Sequence, residues 1–246
     1  LSKLDQLKNG LSQLERHTRE LQESVMNIRM LPISFVFSRF PRLVHDLSTK
    51  LDKKIELRMT GENTELDKTV MEKISDPMVH LIRNALDHGI EMPEQRKAAG
   101  KPEMGTIVLN AFHQGGNIVI EMTDDGGGID TERLLTKARN NGLVGENEKL
   151  TQEQKLDLLF SPGLSTVEEV SDLSGRGVGM DVVKTKITQL NGTLNIDSHL
   201  GKGTRIEIKV PLTLAIMPTL MVMLKEQAFA FPLVSVNEIF HLDLSQ

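Results

Sequence analysis

Gly175–Arg176–Gly177–Val178–Gly179–Met180–Asp181 is the stretch on which the reading of this chain turns. Its glycines stand at alternate positions and run into a helix expected to begin near Met180. Backbone N–H groups presented at a helix N-terminus suit anions, because the macrodipole and the unpaired N–H groups act together there. Alone the stretch is open to two readings, a flexible linker and a cradle for phosphate oxygens. It is not a Walker loop, since no Gly-Lys-Ser/Thr follows. It is not a clear dinucleotide fingerprint either, since no strand leads directly into it.

Two upstream elements narrow the choice. The first is the helix His80–Leu81–Ile82–Arg83–Asn84–Ala85–Leu86–Asp87–His88. His80, Asn84 and His88 are spaced by four and share one side, with Asp87 beside them and Arg83 flanking. A plain solvated face would more often carry Glu, Lys and Gln, because His and Asn are indifferent helix formers. An Asn amide oxygen is also a ligand for Mg²⁺, a hard cation that arrives carrying phosphates. The second is Asp124–Asp125–Gly126–Gly127–Gly128–Ile129, directly after an alternating run. A carboxylate at a strand end can accept a hydrogen bond from an adenine amine, and glycines let backbone approach a ligand closely. A tight turn with surface acids is the competing reading. Three such elements in order describe a nucleotide pocket rather than three loops.

Composition agrees. The chain has 246 residues, 39% hydrophobic and 26% charged, with a formal net charge of -5. That is an ordinary globular composition, and an acidic balance argues against nucleic acid as a partner. Tyr and Trp are absent and Phe numbers 8, so stacking of bases on aromatic rings is not expected. There is no cysteine, hence no disulfide and no thiolate metal site, which fits a reducing cytosol. No apolar run approaches the roughly 20 residues that cross a bilayer, so no direct membrane insertion is expected. No signal peptide is visible. The chain opens at Leu1 inside a helical pattern, and we expect it to be a piece of a longer protein.

Leu4, Leu7, Leu11, Leu14, Leu21, Val25 and Ile28 form a heptad seam with Thr18 in its one gap. Pro32 ends it. Phe37, Phe40, Val44, Leu47 and Leu51 make a second helical pattern. The two are expected to form a hairpin that pairs into a four-helix bundle in a homodimer; packing on its own chain is the alternative. A strand over Ile55–Met59, a helix from Glu65 to Ile90 and a polar loop over Met92–Lys101 follow. Thr106–Phe112 and Asn117–Thr123 read as a hairpin about Gly115–Gly116. Helices are expected at Thr131–Asn141, ended by Gly142, and at Met180–Leu190, ended by Asn191–Gly192. Strands Thr193–Asp197 and Thr204–Val210 are joined at Gly201–Lys202–Gly203. Leu214–Leu224 and Ala228–Val236 are strand-like runs too small to bury themselves.

The order of the His80-to-His88 helix, Asp-Asp-Gly-x-Gly, Phe160–Ser161–Pro162–Gly163, Gly-x-Gly-x-Gly and Gly201–Lys202–Gly203–Thr204 resembles the N, G1, F, G2 and GT boxes of histidine kinases. "HLIRNALDHGIE", "TDDGGGID", "LFSPGLST", "GRGVGMDVV" and "PLTLAI" resemble the chemotaxis branch of that family, over essentially the whole chain. The resemblance implies an α+β chain: residues 1–55 a helical dimerisation hairpin, 56–210 an α/β-sandwich ATPase domain of the gyrase and histidine-kinase type, and 211–246 the start of an adaptor-binding regulatory β domain. It implies Mg²⁺ and ATP, with Asn84 on the metal and phosphates and Asp124 on the adenine. Gly126, Gly128 and Ile129 line the base pocket. Asp87 and His88 contact nucleotide, Lys137 presents a basic group to the phosphates, with Arg133 a weaker candidate, and Ser174, Gly175, Arg176, Gly177, Val178, Gly179 and Met180 form the phosphate-side loop beneath a lid spanning 160–178. Thr204 adds a nucleotide contact. His80 stands where gyrase-like ATPases place a water-activating glutamate, so it is expected to orient the γ-phosphate for transfer.

The implied acceptor is a histidine on a separate domain. His17 on the first helix is followed by Thr18, and no proline appears until Pro32, unlike the phosphorylated helix of other histidine kinases. The implied partners are a second copy, the phosphoacceptor domain, a coupling adaptor and chemoreceptors, and response regulators, in the cytoplasm at receptor arrays. A nucleotide-driven clamp ATPase and a non-catalytic dimeric scaffold are the competing functions.

Overall fold

The computed structural model describes residues 8–14, 16–18, 29–146, 148–161, 164, 179–212, 219–224 and 227–232. Alternating apolar and polar residues build the centre of its sheet. β4 (Gly105–Gln114) buries Ile107, Leu109 and Ala111, and β5 (Asn117–Asp124) buries Ile118, Ile120 and Met122. They pair antiparallel with Ile107 opposite Asp124 and Gln114 opposite Asn117. The turn between them places Gly115 and Gly116 at φ 57° and 76°, the left-handed conformation that a two-residue hairpin turn requires. β2 (Ile55–Thr60) adds in parallel beside β4, while β7 (Gly203–Pro211) and β6 (Thr193–His199) extend the other side, giving the order β2-β4-β5-β7-β6. The opposite face carries Glu121, Arg205, Glu207 and Lys209, joined by ion pairs.

Helices cover the apolar face. α3 (Lys68–Asn84) contributes Ile74, Met78, Leu81 and Ile82, and α7 (Met180–Thr188) contributes Val183 and Ile187, to one core with the inward residues of the sheet. Residues 65–67 are not the first turn of α3, as the helical pattern suggested. They form β3 (Glu65–Asp67), antiparallel to β1 (Met30–Pro32). The helix starts one residue later because Asp67 caps it, accepting the Thr69 N–H at 2.7 Å. The polar stretch 92–101 contains α4 (Pro93–Ala98), started by Pro at its first position. α5 (Thr131–Asn140) is capped by the Asp130 carboxylate and ends before Gly142 at φ 70°. α6 (Gln152–Asp157) opens with a Thr151–Gln154 capping box.

The second helical pattern forms α2 (Phe40–Lys50), after a single turn, α1 (Ser34–Phe37). Phe37, Phe40, Val44 and Leu47 are buried in the same core as Leu81, Leu86 and Ile107. This half of the expected hairpin therefore packs on its own chain, and the expected boundary at residue 55 falls inside one continuous core. An apolar stripe takes whichever apolar surface reaches it, and the sheet layer lies closest in sequence. Residues 8–14 and 16–18 are helical, with Leu11 and Leu14 largely exposed. The rest of the heptad seam, Leu4, Leu7, Leu21, Val25 and Ile28, lies outside the described residues.

The chain divides into two compact units, Leu1–Leu212 and Thr213–Gln246. In the second, β8 (Thr219–Leu224) and β9 (Gln227–Pro232) pair antiparallel, with Met221, Val222, Met223, Leu224 and Phe229 exposed.

Candidate nucleotide site

The functional side chains sit where α3 ends. After Asn84 the backbone widens into a π turn, Ala85–Gly89, closed by the Ile90 N–H on the Ala85 carbonyl at 2.8 Å. The fourfold spacing of His80, Asn84 and His88 therefore does not continue as one α-helical stripe. Asp87 and His88 lie on the widened turn, half-buried and exposed respectively. Such bulges leave backbone groups without α-helical partners and recur at functional sites. Lys53, after α2, donates to two of those carbonyls, Leu86 at 2.5 Å and Asp87 at 3.0 Å. Burial pulls the Lys53 ammonium below its ordinary pKa, opposed by Asp87 and Glu91.

The π turn delivers Gly89 against Asp124. A Cβ on Gly89 would lie 3.6 Å from both Asp124 carboxylate oxygens, and one on Gly126 would lie 2.1 Å from the Gly89 carbonyl. Glycine at 126 is required by that approach. Asp124, at the end of β5, is 4% exposed. Its Oδ1 accepts the Gly126 N–H at 2.9 Å. Burial pushes its carboxyl up to about 6, against the Gly126 and Thr204 N–H groups that hold it down. No cation pairs with it among the described residues. A buried carboxylate without a counter-ion, faced by glycines, has the chemistry to accept a hydrogen bond from a ligand.

The rest of the glycine loop is fixed on both sides. Gly128 has φ 70°, and a Cβ there would meet the His199 carbonyl at 2.2 Å. The Ile129 N–H donates to the buried Ser198 hydroxyl at 2.9 Å, while the Ile129 side chain joins a second apolar cluster with Leu134, Leu135 and Ala138. The Thr204 hydroxyl shares a hydrogen bond with Ser198 at 2.9 Å. Ser198 was not singled out from sequence; a lone serine in an alternating strand gives no signal.

Asn84 closes α3, just before the π turn. Its amide nitrogen donates to the Met180 Sδ at 3.3 Å, which leaves the carbonyl oxygen as the atom for a cation. That brings the start of α7 beside Asn84, with Gly179 in extended backbone as its N-cap. No cluster of three His, Asp or Glu side chains suited to a metal occurs among the described residues. An ion here would take one protein oxygen and complete its shell from phosphates and water, the habit of Mg²⁺. His80 is half-buried; burial, then Arg83, lower its pKa, against the pull of Asp181. Both effects favour the neutral imidazole. Lys137 is half-buried in the last turn of α5. Ser174, Gly175, Arg176, Gly177 and Val178 lie outside the described residues. Gly89, Asp124, Gly126 and Thr204 thus meet at the end of β5, and Asn84, one π turn before Gly89, meets Met180.

Residues 73–214 match the family of histidine kinase-, DNA gyrase B-, and HSP90-like ATPases. The chain is 54% identical over 94% of its length to the chemotaxis protein CheA of Klebsiella aerogenes, 52% over 96% to that of Salmonella typhimurium and 45% over 97% to that of Bacillus subtilis. It spans 35–36% of the length of those relatives. No helix among the described residues is long and apolar enough to cross a membrane. With the buried carboxylate, the glycine loop and the asparagine-bearing helix in this arrangement, the chain belongs to the histidine kinase-, DNA gyrase B- and HSP90-like ATPases, within their chemotaxis histidine kinases of the CheA type.

Proposed function

We propose that this chain is the ATP-binding core of a chemotaxis histidine kinase, which transfers the γ-phosphoryl of Mg·ATP to a histidine supplied by a separate domain, across a homodimer. The observation that carries it is the convergence of Asn84 and the π turn, Asp124 with Gly126, and the start of α7. Asp124 accepts the adenine amine. Asn84 and the N-terminus of α7 serve the phosphate end, with Gly175, Gly177 and Gly179 as backbone donors. The bond between the γ-phosphorus and the bridging oxygen breaks, ADP leaves, and a phosphorus–nitrogen bond forms to the acceptor imidazole. Such transfers need positioning and charge neutralisation more than covalent help from the protein. A neutral His80 donates one ring N–H to a γ-phosphate oxygen and holds it in line, without activating water. Together with the loop 174–178, the proposed set is His80, Asn84, Asp87, His88, Asp124, Gly126, Gly128, Ile129, Lys137, Gly179, Met180 and Thr204. Residues 211–246 begin the unit that meets the coupling adaptor and receptors, and response regulators take the phosphoryl group onward.

The test mixes the chain with a separately expressed acceptor domain and γ-labelled ATP. Label on the acceptor, with none on this chain, is expected. Label on His17 in the absence of the acceptor would overturn the trans mechanism. Steady phosphate release with no labelled protein would favour a clamp ATPase, and no nucleotide binding in a titration would favour a scaffold.

A further inference from the structure

Beside the nucleotide-contacting side chains lies a cluster of two cations and two carboxylates that touches the glycine loop directly. Arg96, on α4, is 1% exposed. Its Nε donates to the Pro102 carbonyl at 2.7 Å; Nη1 to Glu91 Oε2 at 3.2 Å and the Asp125 carbonyl at 3.1 Å; Nη2 to Asp125 Oδ2 at 2.9 Å and the Met104 carbonyl at 3.3 Å. Lys101 Nζ donates to Glu91 Oε1 at 2.7 Å, the Asp125 carbonyl at 3.0 Å and the Gly126 carbonyl at 2.7 Å. Asp125 Oδ1 in turn accepts the Thr106 N–H at 2.9 Å. Both cations have partners for their donors and both carboxylates are paired, the condition under which a buried ion cluster is tolerated.

One peptide unit makes this more than a brace. The Asp125 carbonyl and the Gly126 N–H belong to the same peptide. Its oxygen is gripped by Arg96 and Lys101, and its N–H donates to Asp124 Oδ1 at 2.9 Å. Cations on the oxygen polarise the peptide and strengthen its N–H as a donor. The cluster also spans two walls of the pocket, since Glu91 follows Gly89 by two residues and Asp125 follows Asp124. We propose that Arg96 and Lys101 are positioning residues for base recognition: through the Asp125–Gly126 peptide they aim and stabilise the ionised Asp124 carboxylate that reads adenine, an inference that rests on the ATP-site reading above.

An ionised carboxylate accepts the adenine 6-amine and repels the guanine 6-oxo group, so its aim shows in the preference for ATP over GTP. Inorganic tripolyphosphate carries no base. The experiment measures dissociation constants of all three for the full chain and for Lys101→Met and Asp125→Asn, well below each melting midpoint. Asp125→Asn replaces a half-exposed carboxylate and is the variant that keeps the test alive if Lys101→Met fails to fold. The expected result is ATP binding weakened about tenfold or more, the ATP-over-GTP preference reduced by a similar factor, and tripolyphosphate binding unchanged. Unchanged affinities, or ATP, GTP and tripolyphosphate weakened in equal proportion, would overturn the positioning role and leave a structural brace. A wild-type chain that fails to bind ATP would sink the ATP-site reading itself.

Discussion

Asp124 carries the sharpest consequence at the residue scale. Its folded pKa of about 6 lies above the ordinary carboxylate value of 3.8. Between those values the folded state binds more protons than the unfolded, so stability falls as pH rises through that window and stays at the lower level above it. The shift corresponds to about 3 kcal/mol in the unliganded protein. We predict that Asp124→Asn flattens this part of the pH dependence: denaturant midpoints of the wild type fall between pH 4 and 6.5 relative to the variant, and parallel curves would contradict the assignment. On the proposed reading, ATP would offset the cost by giving the charge a donor, which would account for a carboxylate that the fold itself disfavours. His80 makes the second prediction. Because burial and Arg83 favour the neutral imidazole and His80 is proposed to hold the γ-phosphate, His80→Gln should slow phosphotransfer about tenfold or more while the ATP dissociation constant stays within about twofold. Loss of ATP binding in that variant would make His80 structural. Both residues stand out as candidates in the sequence because their types are odd for their positions, a histidine on an amphipathic helix and an acid closing an apolar strand.

At the scale of elements, the π turn and the glycine loop are held against each other by contacts between residues distant in sequence. Gly126 and Gly100 separate two kinds of glycine. Gly100 has φ 74° with open space around it, whereas Gly126 meets the Gly89 carbonyl. Gly100→Ala should cost about 1 kcal/mol and leave nucleotide affinity alone. Gly126→Ala should abolish ATP binding in calorimetry by parting the loop from the turn; retained affinity would mean that the turn does not shape the pocket. Lys53 anchors the turn from the other side. Lys53→Met leaves the Leu86 and Asp87 carbonyls without their ammonium and should lower unfolding free energy by about 1–3 kcal/mol, measured by denaturant titration. Neither anchor could be read from the chain. Lys53 is one lysine of a Lys53–Lys54 pair, and Arg96 sits in a polar stretch without periodicity that reads as a loop; a buried cation is defined by its partners. The change from α to π winding after Asn84 is equally silent, because it depends on where Gly89 must meet Asp124.

For the whole molecule, one core unites α2, α3, α7 and the sheet, while the helical residues 8–14 leave Leu11 and Leu14 exposed. We predict that the full chain dimerises through its N-terminal helix, and that a chain starting at Arg29 sediments as a monomer yet binds ATP with unchanged affinity. A dimer persisting after that removal would place the contact elsewhere. The family was legible in the order and wording of the motifs, because the residue types proposed for a phosphate cradle, an adenine acceptor and a Mg²⁺ oxygen stand at short, particular spacings. The hairpin turn at Gly115–Gly116 and the ends of α5 and α7 were legible for the same local reason, since left-handed backbone and helix caps select their residues within a few positions. What tertiary structure alone decided was the partner of each apolar stripe and each buried charge. The α2 pattern suits a dimer seam and the chain's own core alike, and it packs in the core, while Arg96 and Lys101 close on the Asp125 and Gly126 carbonyls 24 to 29 residues away. Burial and charge pairing are set by which surfaces meet in space, and spacing along a chain does not specify that meeting.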